Sequence, residues 1–87
     1  MTTTIRVTTA ARYRGLAVTV FGDMAGGLLA VAGYGTADEV PIAAIAVKRR
    51  AGQRVYCVSG RGTWTASVAV AAAEAVKARE ARDHRSI

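Results

Sequence analysis

One cysteine, one histidine, one proline and five aromatic residues are all that 87 residues hold of those types. The single Cys57 excludes an intrachain disulfide framework and any zinc site built on several thiolates. Set in an apolar alternation, it reads as a small core residue. The single His84 lies in a charged tail, which leaves no imidazole constellation for metal binding or general-base catalysis. Acidic residues are also scarce, six against twelve lysines and arginines. Outside one helical segment only Asp23, Asp38 and Glu39 remain, and the adjacent Asp38 and Glu39 are explained by a turn or a helix start. The glycine-rich GDMAGG and GYGTAD match no complete phosphate-loop pattern. Ser59 and Ser67 have no visible activating partner. The expectation is a protein that is not an enzyme and uses no cofactor or metal.

Long apolar runs are missing too. Residues 16–34, LAVTVFGDMAGGLLAVAGY, carry one charge, Asp23, but the GDMAGG in their middle would make a poor bilayer helix. Two strands joined by a loop account for the stretch, and no membrane association is expected. The N-terminal MTTTIRVTTAARYRG has no apolar segment followed by a small-residue cleavage site, so no signal peptide is expected. With one cysteine, the chain suits a reducing cytoplasm.

What is abundant is small aliphatic residues. Hydrophobic residues make up 52% of the chain and aromatics 6%. The core must therefore be built from Val, Ile, Leu and many Ala. Residues 3–8, TTIRVT, alternate as a short strand does, and ARYRG (11–15) reads as a basic connector. In LAVTVF (16–21), Leu16, Val18 and Val20 share one face, and Ala17, Thr19 and Phe21 the other. GDMAGG (22–27) is a turn and LLAVAGY (28–34) a further strand.

Residues 39–50 admit two readings. Thr36 with Glu39 matches a capping box, Pro41 is tolerated in a first helical turn, and Gly52 would stop a helix ending in Lys48, Arg49 and Arg50. Alternatively IAAIAV (42–47) is a strand that turns at KRRAGQ into RVYCVS (54–59). The strongly strand-like second half favours the hairpin. From Thr65 to about His84 the pattern is helical, with Val68, Ala71, Ala72, Ala75 and Val76 on one side and Glu74, Lys77 and Glu80 on the other. Trp64 is expected to anchor this helix on the sheet. Beyond Ala78 the apolar stripe ends, and the last two turns are expected to run into water or onto a partner.

The expected fold is α+β: a small antiparallel β-meander of four to five strands covered by one C-terminal α-helix. Residues 1–87 form a single domain, with an N-terminal strand and basic connector (1–12), the meander (13–62), the helix (63–84) and a tail (85–87).

The net charge is +6, with ten arginines and two lysines. Arginine forks match phosphate and carboxylate better than ammonium does. The same excess suits a GC-rich genome, and the compact, motif-poor chain has the style of a phage or mobile element. The cations gather in VKRRAGQRVY (47–56). As a hairpin this segment brings Lys48, Arg49, Arg50 and Arg54 to one sheet end, where phosphate contacts would position a nucleic acid. Arg12, Arg14 and Arg61 are expected to assist. Tyr13 and Tyr56, close to Arg12, Arg14 and Arg54, are the candidates for base stacking. The tail cations Lys77, Arg79, Arg82 and Arg85 are explained by the helix dipole and by pairs such as Arg79–Asp83. The leading expectation is a nucleic-acid-binding accessory or regulatory protein. The other is a protein-binding module: an inhibitor that meets an acidic protein surface, or a subunit of a homo-oligomer or virion. Unpaired sheet edges and an exposed Val70 would favour the latter.

Overall fold

A computed structural model of the chain describes residues 4–23, 26–58 and 62–85. Its elements are β1 (Thr4–Tyr13), β2 (Leu16–Asp23), β3 (Gly27–Ala32), β4 (Val40–Arg50), β5 (Gln53–Val58) and α1 (Val68–Arg85). Each strand pairs antiparallel with its sequence neighbour, in the order β1-β2-β3-β4-β5. The α+β meander with a C-terminal helix is thus the observed fold. Among the described residues no helix is long and apolar enough to cross a membrane.

Residues 40–50 are strand, and the turn chemistry explains why. Arg14 and Gly15 (φ 53° and 80°), and likewise Ala51 and Gly52 (52° and 79°), form two-residue turns with both φ positive. This is type I′ geometry, whose twist matches that of paired strands. Gly52 takes the left-handed backbone without steric cost, so it closes a hairpin where the helical reading had it ending a helix. The residues that resembled a capping box are used inside the β3–β4 loop. Thr36 Oγ1 donates to the Gly33 carbonyl (2.6 Å), and the Glu39 carboxylate accepts from Gly35 N (2.9 Å).

Two irregularities shape the sheet. Val31 pairs with Pro41 and Ala30 with Ala43, so Ile42 is one residue extra in β4. Such a bulge reverses which parity of residue faces the core. Val40 and Ile42 face inward before it; Ala43, Ile45 and Val47 face inward after it. Pro41 sits at the bulge, where a missing N–H does least harm. In β1 the register shifts between Thr8 and Arg12. There Thr9 Oγ1 donates to the Val18 carbonyl (2.8 Å) and accepts from Ala11 N (3.3 Å), replacing lost ladder bonds. Of the residues read as a basic connector, 11–13 therefore belong to the irregular second half of β1, and Arg14 and Gly15 form its turn into β2.

The core lies between one face of the curled sheet and α1. Val18, Val20, Ala30, Ala32 and Val58 from the strands are fully buried, as are Ala71, Ala72 and Ala75 from the helix. Three alanines on the contact stripe let the helix lie close to the strands, where it packs on β1, β2, β4 and β5. Glu74 is only partly turned to solvent: its Oε2 is buried and has no hydrogen-bond partner among the described residues.

Both ends of α1 differ from expectation. Thr65 exchanges backbone hydrogen bonds with Tyr56 (2.7 and 2.8 Å), so it belongs to the sheet margin. The helix starts at Val68, with Ser67 Oγ accepting from Val70 N (3.3 Å) as the cap. Trp64 lies in the segment returning along β5, outside the core cluster, with the Lys48 ammonium 4.1 Å from its ring centre. The last turns do not run free. Arg79 donates to the Pro41 carbonyl (2.8 Å), and Asp83 accepts from the Tyr13 hydroxyl.

Candidate functional site

The cationic segment forms the end of the β4–β5 hairpin. β3 pairs with β4 only as far as Leu28–Ile45, so β4 runs on from Ala46 to Arg50 beyond it. At the rise of a strand that projection is roughly 15 Å. Lys48, Arg49 and Arg50 are exposed and Arg54 is half-buried. Arg49 is directly opposite Arg54, Lys48 faces Val55, and Arg50 faces Gln53. Alternation sends Lys48 and Arg50 to the face away from the helix, and Arg49 and Arg54 to the helix side. The ribbon therefore carries cations on both faces.

Two like charges directly across a ladder repel. The pair that closes a two-residue turn is hydrogen-bonded, which makes Arg49–Arg54 a non-bonded pair, where side chains stand closest. Among the described residues no carboxylate is ion-paired with either arginine, and the ion pairs Arg14–Asp83 (3.6 Å) and Arg79–Asp83 (3.1 Å) lie far from this hairpin. Lys48 is held in place by the Trp64 ring instead, a contact that leaves its charge uncompensated.

The remaining sequence candidates are not gathered here. In a meander the β1–β2 and β4–β5 turns fall at opposite ends of the sheet. Arg12 and Arg14 belong to the former, with Arg12 donating to the Gly15 carbonyl (3.3 Å) and Arg14 pairing with Asp83. Arg61 lies outside the described residues. Tyr13 and Tyr56 are 1% and 7% exposed and line the core, so their rings are unavailable for stacking. The reason is parity: Tyr13 pairs with Leu16 and Tyr56 with Val47, both on the inner face.

Tyr13 serves a structural clasp. Its hydroxyl donates to Asp83, which also accepts from Arg79 Nε. The tyrosine hydrogen bond, followed by the two arginines, holds the Asp83 carboxyl below its ordinary range against some desolvation. The same hydrogen bond raises the Tyr13 phenol above its ordinary value.

The exposed ring is Tyr34, with the half-buried Phe21 beside it. Phe21 and Tyr34 stand 4.8 Å apart at 47° on the face opposite the helix, with the Arg6 guanidinium 5.9 Å from the Tyr34 ring centre. The sequence did carry a signal for Phe21, which alternates onto the Ala17–Thr19 face rather than the apolar one. Tyr34 carried none, because it follows the end of β3 and returns through a loop.

The chain matches no family model, and no curated protein or solved structure is significantly similar to it.

Proposed function

We propose that the chain is a small, basic, non-enzymatic accessory protein that binds nucleic acid, with the β4–β5 hairpin as its phosphate-holding element. The observation that carries the reading is the Arg49–Arg54 pair: two arginines directly opposite each other across the ladder, neither ion-paired with a carboxylate among the described residues. A phosphate placed between or beside them replaces repulsion with charge-assisted hydrogen bonds. Lys48 and Arg50 extend the contact along the other face. The favourable term is release of the counterions condensed on the polyanion, so binding is steeply salt-dependent.

Replacing Arg49, Arg50 and Arg54 together by Ala tests this. Affinity for a fluorescent polynucleotide at low salt is expected to collapse, and the log–log salt dependence to flatten by roughly three. Unchanged affinity would refute the reading.

A protein-binding module is the second reading. Val7 and Val70 are 41% and 45% exposed, and the outer edge of β1 has no strand partner among the described residues. Light scattering at low and high salt separates the two. A salt-insensitive oligomer that ignores nucleic acid supports this second reading.

A further inference from the structure

The sheet face turned away from α1 is not a polar surface. Its register sets Arg6, Phe21, Leu29 and Ala44 side by side across four strands. Along β4 the same face continues through Ala46, Lys48 and Arg50. Phe21, Leu29, Ala44 and Ala46 line a shallow apolar depression of about 480 Å³, and Gly22 and Gly27 keep its wall free of side chains. At each end an aromatic ring is paired with a cation: Tyr34 with Arg6, and Trp64 with Lys48. Among the strand residues of this face, Asp23 at the β2–β3 turn is the one carboxylate. Tyr34 is 38% exposed.

We infer that this face binds unpaired polynucleotide. A base stacks on the exposed Tyr34 ring beside Phe21. The strand then crosses the low floor of Leu29, Ala44 and Ala46. Its phosphates meet Lys48 and Arg50, which project from the same face. From Ala44 to Arg50 is roughly 20 Å at a strand's rise, room for a few nucleotides. A duplex keeps the faces of its bases inside the stack, so only an unpaired strand can use the rings. Cations at both ends with one acid between them suit a phosphate chain better than a neutral apolar peptide. The inference rests on the hairpin reading, since Lys48 and Arg50 serve both.

The test is fluorescence anisotropy with labelled oligothymidylate and with its duplex with oligoadenylate, at low salt. The proteins are the wild type, Tyr34→Ala, Tyr34→Phe, Phe21→Leu and the triple hairpin variant, each checked for folding by circular dichroism. The wild type is expected to bind the single strand more tightly than the duplex. Tyr34→Ala is expected to weaken single-strand binding roughly 5- to 100-fold while leaving duplex binding alone. Tyr34→Phe retains the ring and the affinity. Phe21→Leu keeps apolar volume without a ring and gives a second, independent loss. Equal affinity for both forms, or no effect of Tyr34→Ala and Phe21→Leu, would overturn the platform. The hairpin reading then survives if the triple variant still loses binding. If neither probe binds, both fall, and an apolar protein partner becomes the better occupant of the face.

Discussion

At the tip of the β4–β5 hairpin, Ala51 holds a φ of 52°, a conformation asparagine takes more easily than alanine. Ala51→Asn gives the favoured Asn-Gly pair of a type I′ turn. It is expected to raise stability by roughly 0.5–1 kcal/mol in urea denaturation, with the cationic side chains untouched. Asp83 offers the opposite experiment. Its carboxyl is depressed by the Tyr13 hydroxyl first and by Arg79 and Arg14 after it. Its contribution to stability is therefore complete above the ordinary carboxylate range and disappears as pH falls through the lowered value. Tyr13 is raised, so its share holds below the ordinary tyrosine range and is lost as pH climbs through the raised value. Asp83→Asn is expected to melt below the wild type at neutral pH, and the difference is expected to close in acid. A gap that persists unchanged at low pH would show that ionisation is not what matters there.

Among the elements, α1 succeeds by being narrow. Ala75 is fully buried against the strands, and a larger side chain there must push the layers apart. Ala75→Leu is expected to cost about 1–3 kcal/mol by denaturant unfolding, although leucine is nearly as good a helix former and more apolar. Gly22 has φ 142°, and a Cβ on it would stand 2.7 Å from the Gly27 carbonyl oxygen. Gly22→Ala is expected to cost about 1–3 kcal/mol by the same measurement. Element type was largely legible: strict alternation marked β2, and the alanine stripe marked the buried side of α1. β4 was ambiguous for a specific reason. Its bulge at Ile42 shifts the inward parity midway, so IAAIAV alternates weakly although it is a strand throughout. The docking of Arg79 and Asp83 was hidden because it depends on Tyr13, far away in sequence and polar only at its tip.

Over the whole molecule, cations concentrate at the β4–β5 end, which carries four. At the other end Arg12 and Arg14 are mixed with Asp38, Glu39 and Asp83. If all four cations neutralise duplex phosphates, a fourfold rise in salt is expected to weaken binding roughly 100-fold. Titration at two salt concentrations checks this, and a flat response would argue against a phosphate contact. The cationic cluster could be read from VKRRAGQRVY because a two-residue turn keeps near neighbours together. The choice of rings could not, because inward or outward facing was decided by register with partners the sequence does not name. One further property follows from strand order matching chain order. Every pairing in the sheet closes a short loop, which favours rapid folding. The contacts of α1 with β1 and β2 are the long-range exceptions, and among them the Tyr13–Asp83 hydrogen bond spans 70 residues. During synthesis each strand can zip onto its predecessor as it emerges, and the clasp shuts only when the final helical turn has left the ribosome.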